Sequence, residues 1–227
     1  TIRPEADISR AEVATIFFRL LTDEARETYW SQYSPYSDVK ADAWYNNAVC
    51  TLSRMGILNG YPDGTFRPDA PITRSEFTKV AISFFDYAEG YYVYGGEFSD
   101  VTGAEWFASS LAAALDYGLI EGMPDGTFRP LNNISRAEAC TIVNRTLGRE
   151  PDGDHLLSRR EMITWPDNST SAWYYADMQE ATNSHDYYWD EDDEVEEWTE
   201  KLEERDWAAL ERSWSNAYDA PGGEVMD

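Results

Sequence analysis

The chain has 227 residues, 43 Asp+Glu against 18 Lys+Arg, and a formal net charge of −25. That balance argues against nucleic acid as a partner, because holding a polyanion calls for a basic face. No run of about 18 apolar residues exists, so no membrane insertion is expected. No charged and apolar leader stands at Thr1, so any export signal is expected outside these residues. Two cysteines, Cys50 and Cys140, cannot form a framework and read as small buried hydrophobes in apolar helix-like stretches. His155 and His185 lack metal-ligand spacing in the sequence, and no metal or other cofactor is expected.

In chain order, the first element opens at Ser9, whose hydroxyl stands three residues before Glu12, the spacing of a capping box. Val13, Ile16, Phe17 and Leu20 follow at helical spacing. Trp44 to Ile57 reads as a second helix with Ala48, Leu52 and Met55 inward, closing at Gly56. Asp63-Gly64 marks a tight turn, and Thr73 with Glu76 opens the next capped helix, carrying Phe77, Val80, Ala81 and Phe84. The same order returns as Trp106 to Ile120 with Leu111, Leu115 and Leu119 inward, the Asp125-Gly126 turn, and a helix from Ser135 and Glu138 carrying Ala139, Ile142, Val143 and Leu147.

This periodicity comes from repetition. ISRAE at Ile8 to Glu12 returns as ITRSE at Ile72 to Glu76 and ISRAE at Ile134 to Glu138. PDGTFRP at Pro62 to Pro68 is repeated identically at Pro124 to Pro130, and the opening TIRP matches its end. YSDV at Tyr36 and FSDV at Phe98 precede Trp44-Tyr45 and Trp106-Phe107, and WPDN at Trp165 precedes Trp173-Tyr174. The third copy lacks the DGTF turn and diverges after Ala181. Four segments follow: 1–34 as the capped half of a first repeat, 35–97 and 98–163 as full units, and 164–227 as a divergent closing repeat. The final 44 residues carry 16 acids and 3 bases. Their acidic run, Trp189 to Glu197, reads as a solvated loop or strand edge, since it lacks the glycine of a calcium loop. Asp206 is expected to cap a terminal helix whose Trp207, Leu210, Trp214 and Tyr218 share one face, docked on the third repeat.

Together these strings resemble the S-layer homology (SLH) domain family over most of residues 1–183. The resemblance implies a mainly α, pseudo-threefold module in which three repeats pack a central three-helix bundle and project three prongs. It further implies a module on the bacterial cell surface that holds a larger protein to the wall without a covalent bond; a monomer is expected, since three repeats in one chain remove the need for trimerisation. The implied partner is a secondary cell-wall polysaccharide, often ended by a pyruvylated sugar.

Candidate glycan-binding residues follow from recurrence. Arg10, Arg74 and Arg136 occupy the first helical position, where the dipole disfavours a cation by roughly 0.3 to 1 kcal/mol. A bound carboxylate would offset that cost through free helix amides and the guanidinium fork, and so would an Asp or Glu of a neighbouring repeat. Trp44, Trp106 and Trp173 either stack on sugar rings or fill the core. Asp38, Asp100 and Asp167 either bond sugar hydroxyls or fix a loop. Gly60 and Gly122 either let a ligand approach the backbone or serve a turn. With a charge of −25, recognition of an acidic glycan has to be local. Two other classes stand beside the anchor: a protein-interaction or assembly module, and a glycoside hydrolase. No catalytic motif supports the enzyme.

Overall fold

The computed structural model describes residues 1–85, 88, 90–190 and 195–218. Among them are eight helices and one two-stranded sheet. No helix among the described residues is long and apolar enough to cross a membrane. The chain divides into two units, Thr1–Ile8 with Pro71–Glu204, and Ser9–Ala70 with the segment from Arg205.

The smaller unit contains α1 (Arg10–Leu20), α2 (Asp23–Tyr29), α3 (Asn46–Arg54) and α8 (Trp207–Tyr218). The capping box of α1 forms as expected: Ser9 accepts from the Glu12 amide while Glu12 accepts from the Ser9 amide. Phe17 and Phe18 are buried, whereas Leu20, counted inward by periodicity, is exposed in the last turn. α3 is shorter than Trp44 to Ile57, because Tyr45 offers no side-chain cap and the chain before it runs as single turns. Its end is a Schellman closure, with the Gly56 amide on Ser53 O, the Ile57 amide on Leu52 O, and Gly56 at φ +76°.

Asp206 does cap α8, accepting from the Ala209 amide. The docking site differs from the expectation. Trp214 packs 5.6 Å from Trp30 and edge-on to Phe18 at 6.4 Å, within the unit that holds α1. Gln32 to Ser215, Asn47 to Glu211 and Arg205 to Asp23 tie its flanks. The attraction is a set of apolar rings around Arg26, which is 1% exposed, donates to Phe18 O and Arg19 O, pairs with Asp23, and lies 5.2 Å from the Trp214 ring. The side chain of Tyr218 lies outside the described residues.

The larger unit contains α4 (Arg74–Ile82), α5 (Ala108–Asp116), α6 (Arg136–Thr146), α7 (Tyr175–Glu180) and an antiparallel hairpin of β1 (His185–Asp190) and β2 (Val195–Lys201). α4 and α6 carry the other two capping boxes. α4 packs on α5 and α6, and α6 on α7. At its centre the three isoleucines that open the repeated string close a ring: Ile8 N–H to Ile134 O, Ile134 N–H to Ile72 O, and Ile72 N–H to Ile8 O, at 3.1 to 3.3 Å. All three side chains are buried. α5 and α6 end in the same closure as α3, at Gly118 and Gly148. Leu147, at the end of α6, is exposed where periodicity placed it inward.

Where Val39 and Val101 are buried, the third copy has Asn168, equally buried and bonded to Tyr175 O and Gln179. The acidic run forms strand rather than loop at its described ends, and Glu196 is buried; Glu191 to Glu194 lie outside the described residues. Both cysteines are free, and burial pushes their thiols up to about 11 for Cys50 and about 12 for Cys140, which keeps them inert. Trp214→Ala is expected to cost about 3–5 kcal/mol of stability. Denaturant unfolding followed by far-ultraviolet circular dichroism measures it.

Candidate functional site

The recurring Arg and Asp meet at one repeated turn, and Gly60 and Gly122 stand against that turn in the two full units. The Asp38 carboxylate accepts from two consecutive amides, Phe66 N–H at 2.8 Å and Arg67 N–H at 2.7 Å. Asp100 does the same with Phe128 and Arg129, and Asp167 with Ile2 and Arg3. Two successive amides pointing one way form a nest for an anion, which requires a left-handed residue. Arg67, Arg129 and Arg3 supply it, at φ 57°, 58° and 49°, the three non-glycine residues at positive φ among those described. So WPDN, despite its departure from F-S-D-V, keeps the clamp.

The carbonyl in the same turn receives the helix-opening arginine. Arg10 Nε donates to Phe66 O, Arg74 Nε to Phe128 O and Arg136 Nε to Ile2 O, each at 2.8 Å. Arg10 also donates to Asn59 O and lies 4.7 Å from the Phe66 ring. Arg74 pairs with Glu138 of the next capped helix at 2.6 Å, the neighbouring-repeat pairing weighed from sequence. Burial pulls Arg74 below the ordinary guanidinium pKa, with Glu138 opposing the shift. Arg10 and Arg74 are buried, and Arg136 is half-buried.

The free helix amides expected beside these arginines do not exist. The first two amides of α1 donate to Ala70 O and Pro68 O, those of α4 to Asn132 O and Pro130 O, and those of α6 to Ala6 O and Pro4 O. The third amide goes to the capping hydroxyl. Backbone carbonyls of the turn occupy the place assigned to a ligand carboxylate, and that part of the anion argument falls.

Gly60 and Gly122 are explained by packing. A Cβ at Gly60 would stand 2.3 Å from the Tyr36 ring and 2.6 Å from Thr65 O, and one at Gly122 would stand 2.3 Å from the Phe98 ring. Those rings lie 5.4 Å from Phe66 and Phe128.

The indoles behave otherwise. Trp44, Trp106 and Trp173 are 62%, 57% and 67% exposed, so they are not core residues. Each stands two residues before its helix rather than opening it, with its ring edge-on to the next aromatic, Tyr45, Phe107 or Tyr174, at 5.3 to 5.4 Å. Lys79 Nζ lies 5.6 Å from the Trp106 ring.

Sequence reasoning passed over Arg3, Arg67 and Arg129. Their signal was a second recurring arginine, always before proline. Arg67 lies 3.9 Å from the Tyr61 ring and pairs with Asp63, as Arg129 pairs with Asp125. Bonds from Thr65 and Arg67 hold the Asp63 carboxyl down to about 2, and Thr127 and Arg129 do so for Asp125. Because the folded value lies below the ordinary 3.8, this stabilisation is present above pH 4 and is lost as pH falls through about 2. Carbon-detected NMR titration is expected to place both midpoints near 2. Asp100→Ala strands two amides and is expected to lower stability by about 1.5–3 kcal/mol, read by the denaturation midpoint.

The profile described as "S-layer homology domain" matches residues 35–78 and 97–140. The chain is 36% identical over 215 residues to Cell surface glycoprotein 1 of Acetivibrio thermocellus, covering 90% of this chain and 9% of that protein. It is 33% identical over 205 residues to the Cellulosome-anchoring protein of the same organism, covering 88% and 44%. A Surface layer protein of Brevibacillus choshinensis is 33% identical over 114 residues, covering 49% and 10%. The chain thus spans under a tenth of the first relative and under half of the second.

Proposed function

The chain belongs to the S-layer homology family and is a cell-surface module, and from that premise we propose that it anchors a bacterial surface protein to the cell wall without a covalent bond. The ligand is a secondary cell-wall polysaccharide carrying an acidic, pyruvylated sugar, and the module binds it as a monomer, in grooves between repeats.

The observation that carries this reading is the set of three indoles, each more than half exposed at an equivalent place. Large aromatic faces left in water cost free energy, and a sugar ring's apolar face covers them. Arg10, Arg74 and Arg136 are the guanidinium candidates for the ligand's acidic group. Arg136 is half-buried where Arg10 and Arg74 are buried, and Arg74 pairs with Glu138. Asp38, Asp100 and Asp167 act by holding the turn, and Gly60 and Gly122 by letting an aromatic ring lie on it. The cyclic isoleucine bonds join the three copies of the repeated string within the larger unit.

Because the arginines are built into the turns, the informative variant leaves them intact. The triple change Trp44→Ala, Trp106→Ala, Trp173→Ala removes exposed surface and is expected to keep the fold. Co-sedimentation with protein-free walls should show binding by the wild type that is lost on walls stripped of secondary polymer and falls at least about tenfold in the triple variant, each lost stack contributing about 0.5–1.5 kcal/mol. Because charges beyond about 8 Å are screened at physiological salt, the bound fraction should hold steady as salt rises. Equal binding to stripped walls, or to a protein partner alone, contradicts the anchor and favours an assembly module.

A further inference from the structure

We infer that the hairpin closing the larger unit carries a binding site for one divalent transition cation of the zinc class, formed by Glu180, His185 and Glu196. One donor atom of each lies within 4.8 Å of the others. The residues come from the end of α7, the start of β1 and the start of β2, so no spacing in the sequence reveals them.

The hydrogen bonding around the cluster points to a cation. His185 Nδ1 lies 2.9 Å from Asn183 O, which only accepts, so Nδ1 carries the proton. The Nε2 lone pair of the neutral ring then faces Glu180 Oε2 at 3.3 Å, two acceptors toward each other unless a positive species sits between them. Metal-bound histidines are oriented by such a bond from the other ring nitrogen to a carbonyl. The ring is further held by Trp198, stacked at 3.8 Å, whose indole N–H donates to Glu180 Oε2 at 3.1 Å.

Charge and solvation agree. Arg149 pairs with Glu180 Oε1 at 2.8 Å and compensates one carboxylate. Glu196 is 1% exposed, and its Oε2 is buried without a hydrogen-bond partner. A buried carboxylate oxygen in that state is unstable unless a proton or a metal reaches it. The donor set selects the ion: one imidazole and two carboxylates suit zinc with a water completing the tetrahedron, whereas calcium takes six to eight oxygens and magnesium an octahedron of oxygens. Tetrahedral donors around zinc stand about 3.4 Å apart, and Glu180 Oε2 lies 3.3 Å from His185 Nε2, inside the 4.8 Å that spans all three donors. Bound there, the ion ties both strands to α7.

The test uses the chelator-treated full chain and ZnCl2, with CaCl2 and MgCl2 as controls, read by calorimetric titration and thermal unfolding. One zinc per chain is expected, with Tm raised by roughly 5–10 °C at zinc about a hundredfold above Kd, and no rise with calcium or magnesium. Glu196→Gln, which keeps shape and removes charge, and His185→Asn should each weaken zinc at least tenfold. Should a variant unfold, Co2+ added to the wild type decides instead, through visible d–d bands and loss of the free His185 signal in NMR. No zinc-induced shift, binding unchanged in both variants, or a Co2+ site that leaves His185 unaffected overturns the proposal and leaves a proton between Glu180 and His185 in the ion's place.

Discussion

Two neighbouring backbone amides that point the same way need an acceptor, and in this chain it is each time one aspartate. Asp38 and Asp100 reach amides 28 and 29 residues ahead, closing each full unit on itself. Asp167 reaches Ile2 and Arg3, joining the two ends of the larger unit. Once the nest is filled, the turn carbonyl faces the helix-opening arginine, and the following carbonyls cover the first helix amides. The left-handed arginines, the glycines under the aromatic rings and the buried guanidinium groups all follow from that one geometry.

Among polar groups this leaves little of the repeated motif for a ligand. Carboxylates, first-turn amides and the Nε–H groups of Arg10, Arg74 and Arg136 are engaged within the fold. The indoles of Trp44, Trp106 and Trp173 do remain outward, each more than half exposed. A protein with a charge of −25 has no long-range attraction for an acidic polymer, so contact-range stacking is a physically suitable means of holding one.

The local parts of this structure were legible in the sequence. Ser9 with Glu12, Thr73 with Glu76 and Ser135 with Glu138 announced three helix starts, and Gly56 and Gly118 announced two ends, because caps involve residues three to five apart. What failed involved distant partners. The amides of α1 were expected to be free because nothing near Arg10 in sequence competes for them, while Pro68 and Ala70 do so in space. α8 was placed on the third repeat because its apolar face names no partner, and the rings of Phe18 and Trp30 supply one. His185 looked isolated until the hairpin brought Glu180 and Glu196 to it. For Trp44 the sequence left core and surface equally open, since an indole before a helix suits either.

The most direct measurement is a proton–nitrogen NMR spectrum of the nine tryptophan indoles, recorded while purified secondary wall polymer is added. The account predicts that the signals of Trp44, Trp106 and Trp173 shift with the polymer while those of the buried Trp30, Trp198 and Trp214 stay in place. Unmoved signals at all three exposed indoles, in a sample where the polymer binds, would contradict it.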